Sequence, residues 1–271
     1  MKYFLAALML AGGGGLATAH ANTIAPGFSA STIQPCDDCF VGALSTGFST
    51  NFFGNTYNSL YVSNNGYVTF NSGQSSYTPT GLGAGYTGQP IIAPFYADVD
   101  TRGTGSVTYG TGTYAGFHAF GVTWNAVGYF SAATDKTNSF QLLLVNRPDT
   151  GAGNFDIYFN YGSMQWETGN YNGGHDGLGG TSAAVGYSNG TGVAGSYAQL
   201  TGSLVPGSFI DGGPDALDIG TNDGTPGQYL FQVRNGQVTP PPTGVPEPAT
   251  MAVLGVGLAG LGGLRRSRRR A

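Results

Sequence analysis

The chain has 271 residues, of which 9% are charged, alongside 48 glycines, 16 tyrosines and 16 phenylalanines; this balance excludes disorder and allows one sizeable hydrophobic core. The formal net charge of −4 hides an asymmetry. Lys2, Arg265, Arg266, Arg268, Arg269 and Arg270 lie in terminal segments, which leaves Arg102, Lys136, Arg147 and Arg234 against fourteen acidic residues, a net −10. A body so acidic repels phosphate backbones, so nucleic acid is excluded as a partner.

Residues 1–21 open with Lys2, continue through an apolar run from Tyr3 to Leu16 and end in Ala19-His20-Ala21. This is the pattern of a secretory signal peptide with an A-x-A site, and it predicts cleavage after Ala21 with Asn22 as the new N-terminus. Cys36-Asp37-Asp38-Cys39 follows. Two carboxylates between the sulfurs disfavour the thiolate that a redox pair needs, and zinc would want two more soft ligands. The chain has no third cysteine. In an exported protein the pair is expected to form a small local disulfide, or else to stay as two thiols.

Residues 22–238 read as one β domain. Period-two alternation marks strands at Leu60 to Ser63, Tyr67 to Asn71, Ile91 to Tyr96, Ser106 to Tyr109, Ala119 to Trp124, Asn138 to Asn146, Phe155 to Tyr161, Ala183 to Tyr187 and Tyr229 to Val233. In the seventh of these, Phe155, Ile157, Phe159 and Tyr161 share a face and Asp156 and Asn160 point the other way. Asn64-Asn65-Gly66 lies between the first two and predicts a tight hairpin turn, since Asn-Gly tolerates positive φ. The glycine-rich stretch from Gly169 to Gly180 is expected to be a long exposed loop. Many short strands with glycine turns and no helical stripe predict an all-β, antiparallel, sandwich-like single domain.

Asp98-Val99-Asp100-Thr101-Arg102-Gly103 invites a cation, because alternate aspartates can converge on a hard ion. It departs from the EF-hand template, with Arg102 at position five and Tyr109 at position twelve. Asp37, Asp38, Asp98 and Asp100 are therefore the candidate calcium ligands, and no other cofactor is expected. The competing reading pairs Asp98 or Asp100 with Arg102 or uses it to cap a turn. His118 and His175 lie near no Gly-x-Ser-x-Gly elbow and form no metal-binding His pair, so no catalytic residue is assigned. A glycosidase would need Glu167 facing one of the aspartates. Trp124 and Trp166 are expected in the core, while an exposed aromatic row would suit stacking on sugar rings.

The chain closes with Pro240-Pro241-Pro242, then Val245-Pro246-Glu247-Pro248, an apolar run from Ala249 to Leu264, and a basic cluster at residues 265–271. Residues 239–248 form a stiff, extended spacer. As a helix, the 16 apolar residues span about 24 Å against roughly 30 Å of hydrocarbon, a short transmembrane segment whose arginines stay cytoplasmic. Pro-Glu-Pro, a short apolar helix and a basic cluster in this order resemble the PEP-CTERM sorting signal of Gram-negative bacteria. That resemblance implies an exosortase-type processing enzyme as partner, a transient inner-membrane anchor, and export in a setting rich in exopolysaccharide.

A second resemblance covers residues 45 to 190. Gly47-Phe48-Ser49-Thr50-Asn51-Phe52-Phe53-Gly54-Asn55-Thr56-Tyr57 with Leu60-Tyr61-Val62-Ser63-Asn64-Asn65-Gly66 is similar to the opening of the nidogen-like (NIDO) domain. Ile91-Ile92-Ala93-Pro94-Phe95-Tyr96-Ala97-Asp98-Val99-Asp100 resembles its next block, and Val122-Thr123-Trp124, Thr137 to Leu142, Phe159 to Gly162 with Gln165-Trp166, and Ala184 to Tyr187 continue it in order. The resemblance implies an extracellular structural or adhesive module without enzymatic activity, of the kind found in the matrix proteins nidogen and alpha-tectorin. The expectation is thus an exported surface or matrix protein acting in adhesion or scaffolding. Its rivals are a carbohydrate-binding module, in a form that can depend on calcium, and a secreted glycosidase.

Overall fold

The computed structural model describes residues 23–239. The signal peptide with Ala19, Ala21 and Asn22, the spacer from residue 240 onward with the Val245 to Pro248 motif, the apolar run and the basic tail lie outside those residues. Among the described residues, no helix is long and apolar enough to cross a membrane.

The strands are, in chain order, β1 (Ser31–Thr32), β2 (Phe40–Phe52), β3 (Asn55–Ser63), β4 (Tyr67–Thr69), β5 (Ile91–Tyr96), β6 (Val99–Asp100) and β7 (Ser106–Tyr114). They continue with β8 (Phe117–Tyr129), β9 (Asn138–Asn146), β10 (Phe155–Tyr161), β11 (Ala184–Ser188), β12 (Tyr197–Gln199), β13 (Gln228–Arg234) and β14 (Gln237–Thr239). One sheet runs β1-β7-β8-β9-β10-β13-β14, with β6 also paired to β8; the other runs β12-β11-β5-β4-β3-β2. Every pairing between these strands is antiparallel.

Period-two alternation builds the core between the sheets. The register sets Ile157 of β10 opposite Leu144 of β9 and Phe231 of β13. Facing them in one buried cluster are Leu60, Val62, Val68, Ile92, Phe95 and Val185 of the smaller sheet. Each large apolar side chain so buried contributes roughly 1.5–3 kcal/mol. Trp124 stacks on Phe140 at 4.9 Å, and the Tyr161 hydroxyl donates to the Pro94 carbonyl at 2.6 Å, tying one sheet to the other. Both rings thus bury their area and satisfy their polar ends.

The outward face of the larger sheet is covered as well, which the alternation did not reveal. Residues 23–30 cross it: Thr23 Oγ1 accepts from the Tyr161 N–H at 3.0 Å, and Ala25 exchanges two hydrogen bonds with the Gln141 amide. Phe28 seats in a groove that glycine creates, since a Cβ on Gly121 would stand 2.5 Å from its Cγ. Asp156 and Asn160, which point away from the apolar face, are buried too, Asn160 between Gln141 and Gln228 and Asp156 under Arg147 and Arg234.

Three two-residue hairpin loops have both residues at positive φ: Phe53-Gly54, Ala115-Gly116 and Asn235-Gly236. Asn64-Asn65-Gly66 is not among them. The pairing of Ser63 with Tyr67 leaves it as a three-residue loop, and that loop is buried. Gly66 has φ +81, and a Cβ there would lie 1.7 Å from the Phe95 carbonyl oxygen, so only glycine fits. The stretch from Gly169 to Gly180 also departs from expectation. It opens with a 3₁₀ turn at Asn170–Asn172 and folds back, burying Gly169, Asn172 and Gly177. Strand β2 went unread because its small and polar residues carry the exposed pattern of a sheet edge.

Candidate functional site

The buried Asn64 and Asn65 organise one corner of the sandwich. Cys36 and Cys39 are joined by a disulfide, and the short loop they close is held on both sides. The Cys36 N–H donates to Thr101 Oγ1 at 2.9 Å, and the Cys39 N–H donates to Asn64 Oδ1 at 2.9 Å. Asn65 Nδ2 donates to Asp38 Oδ1 at 2.8 Å, and Asn65 Oδ1 accepts from the Val99 N–H at 2.9 Å. One turn thus fixes the disulfide loop against the segment between β5 and β6.

This docking brings Asp37, Asp38 and Asp98 together, each offering an oxygen within 4.8 Å of the others. Asp98 is 2% exposed, and its hydrogen bond from Asn172 Nδ2 is long, at 3.4 Å. Burial, reinforced by repulsion from Asp38 and Asp37, pushes the Asp98 carboxyl up to about 7. Burial and the charges of Asp100 and Asp38 raise Asp37 to about 6, and burial raises Asp38 as well. Asp100, the fourth sequence candidate, stands apart. Burial would raise it, but the Arg102 guanidinium and the backbone N–H groups of Arg102 and Ala132 hold it below the usual range. Arg102 meets Asp100 Oδ2 at 2.6 Å and Asp37 Oδ2 at 2.9 Å. One guanidinium therefore meets two of the four aspartates, and chiefly Asp100.

The corner opens into a pocket of about 280 Å3 lined by Asp38, Tyr77, Asp98, Phe130 and Tyr171. Tyr171 is 71% exposed and meets the rings of Tyr77 and Phe130 edge-on, with centroids 5.7 and 6.3 Å away. Asn172 locks the rim, accepting from Thr78 Oγ1 at 2.6 Å and donating to the Tyr77 carbonyl at 3.3 Å. Gly169 makes the approach possible, because a Cβ there would stand 2.3 Å from Asp98 Oδ2. Tyr77, Phe130, Tyr171 and Asn172 went unread in the sequence. Their one signal is an aromatic or amide side chain in a loop, with no strand period to bury it.

The other candidates are occupied elsewhere. Glu167 is buried and accepts from Ser182 Oγ and from the backbone N–H groups of Gly207 and Phe209, which makes it the clasp of the 207–209 loop. His118 is exposed and packs edge-on against Phe48. His175 is exposed beside Asp176. A larger cavity of about 410 Å3, lined by Leu200, Asp215, Ile219 and Tyr229 among others, contains a carboxylate already bonded by the Ser208 hydroxyl at 2.6 Å.

Among known families, the nidogen-like domain matches residues 58–117 and 110–235, and the PEP-CTERM protein-sorting motif matches residues 244–269. Human alpha-tectorin is 30% identical over 213 residues, covering 70% of this chain and 9% of its own. Nidogen of Drosophila melanogaster is 31% identical over 208 residues, covering 67% and 14%. The chain therefore matches a small part of each of these relatives. No solved structure matches it. Domain and sorting motif together mark an extracellular, sorted surface protein. With its two antiparallel sheets and a match over most of its length, the chain belongs to the nidogen-like domain family.

Proposed function

We propose that this protein is an exported, non-catalytic surface or matrix component that serves adhesion or scaffolding in an exopolysaccharide-rich envelope. On this reading the signal peptide is removed after Ala21, the apolar run from Ala249 to Leu264 holds the chain transiently in the inner membrane, and an exosortase-type enzyme cuts near Val245-Pro246-Glu247-Pro248. The observation that carries the reading is the presence, in one chain, of a nidogen-like domain and a PEP-CTERM motif. Mass spectrometry of the exported protein tests it. The expected species begins at Asn22 and lacks everything beyond the Pro-Glu-Pro region; a membrane-bound species still ending in Ala271 would overturn the sorting step.

A second reading, a carbohydrate-binding module, is favoured by one specific observation: the exposed Tyr171, with Tyr77 and Phe130, at the mouth of an acidic pocket. Aromatic faces of this kind stack on sugar rings, and nearby carboxylates accept from their hydroxyls. A polysaccharide array read with the full exported protein distinguishes the two. Selective binding lost in Tyr171→Ala supports the glycan reading, and a flat response across the array removes it.

A further inference from the structure

Three carboxylates in one corner would mean little alone, but two of them are poorly served. Asp98 is 2% exposed and lines the pocket, and among the described residues its carboxylate receives a single long hydrogen bond at 3.4 Å. Asp37 Oδ1 is buried and has no hydrogen-bond partner. Buried carboxylate oxygens without donors are costly, and a fold does not keep them without a reason. The disulfide loop carries Asp37 and Asp38, and the bond from Asn65 Nδ2 to Asp38 Oδ1 fixes that loop in place before any ligand arrives.

We infer that Asp37, Asp38 and Asp98 form a calcium site, with Asp100 excluded from it. The spacing allows that ion. Ligands at about 2.3–2.6 Å from calcium stand at most about 4.6–5.2 Å apart, and these oxygens, all within 4.8 Å of one another, can reach one such ion together. All the donors are carboxylate oxygens, which suits a hard cation and gives zinc neither nitrogen nor sulfur. Three side chains cannot fill the six to eight positions that calcium takes, so the remainder faces the pocket and belongs to water or to hydroxyls of a ligand. Arg102 is shared between Asp100 at 2.6 Å and Asp37 at 2.9 Å, so four carboxylates face one guanidinium and the corner keeps an excess of negative charge. The inference uses the same pocket as the glycan reading, but a cation that binds while the polysaccharide array stays flat would retain this site and remove that reading.

The test is calorimetric titration of the EDTA-treated, full exported protein with calcium chloride, paired with thermal unfolding. Binding in the range of about 0.1–1 mM, typical of extracellular modules, and a rise in Tm with calcium are expected. Asp98→Asn and Asp38→Asn should each weaken binding at least about tenfold, which is about 1.4 kcal/mol, while Asp223→Asn leaves it unchanged. Asp38 is only partly buried, so its variant still reports if the Asp98 variant does not fold. Absence of heat and of any Tm shift at about 10 mM calcium, or unaltered binding in Asp38→Asn, would overturn the site. An equal response to magnesium chloride would overturn the assignment to calcium.

Discussion

Two groups of buried carboxylates in this molecule are treated in opposite ways. On β10, Asp156 is buried with Arg147 Nη1 and Arg234 Nη2 at 2.5 and 2.6 Å from its two oxygens. Arg147 continues to Asp149 at 2.8 Å and lies over the Phe117 ring at 4.8 Å, so two guanidinium groups meet two carboxylates. At the Asn64 corner, four aspartates gather around a single guanidinium that meets only Asp37 and Asp100, and two carboxylate oxygens go without a close donor. Asp156 Oδ1, like Asp37 Oδ1, receives no aligned hydrogen bond, but each Asp156 oxygen has a guanidinium of its own within 2.6 Å, and this first arrangement ties β10 to β13 and to the end of β9. The second is open and has a pocket in front of it. The first group is matched within the fold and ties strands together; the second, on the inference drawn above, is where a cation is received.

The sharpest break of that comparison is Asp156→Ala, which strands two half-buried guanidinium groups and should cost about 3–5 kcal/mol in urea unfolding. A cost under about 1 kcal/mol would make the two clusters equivalent. Next is Glu167→Gln. It turns one acceptor into a donor facing the 207–209 backbone N–H groups, and a loss of about 1–3 kcal/mol is expected. Burial holds the Glu167 carboxyl above its ordinary range despite those donors. The unfolded chain therefore releases this proton at a lower pH than the folded one does. Its contribution to stability is full below the ordinary glutamate range and is lost as pH rises through the folded value. Stability curves against pH should lose that slope in the glutamine variant.

Asp98→Asn should act in the opposite direction to Asp156→Ala. It removes a buried charge from among like charges, and calcium-free protein should gain on the order of 1–2 kcal/mol, read as a higher urea midpoint. Destabilisation instead would mean that the ionised carboxylate is already satisfied. The smallest effect on stability falls to Tyr171→Ala, within about 0.5 kcal/mol for so exposed a ring. Unfolding curves that overlay while polysaccharide binding is lost would separate site from scaffold most cleanly.

The strands were legible where alternation is strict and apolar, as in Phe155, Ile157, Phe159 and Tyr161 against Tyr229, Phe231 and Val233. They were illegible in β2, where Gly42, Ala43, Ser45 and Ser49 need no buried face because the strand is an edge. Asn64 and Asn65 read as a tight hairpin turn with no sign of their burial, since residue type reports the φ a loop needs and not what packs over it. All four candidate aspartates were visible as residues. Which of them meet depends on the bridge between Asp37 and Asp100 and on where Arg102 turns, both properties of chain segments far apart in sequence. Asn172 and Tyr171 were hidden for the same reason, in a glycine-rich stretch whose composition suggests a free loop and whose glycines permit a tight return.

The unmatched corner is where the account is most exposed. Crystals of the exported protein grown with terbium in place of calcium, and measured at the terbium absorption edge, locate any bound ion directly. The account predicts an anomalous peak bounded by Asp37, Asp38 and Asp98, with Asp100 still on Arg102. A corner without a peak, or an ion bound through Asp100 with Arg102 displaced, would contradict it.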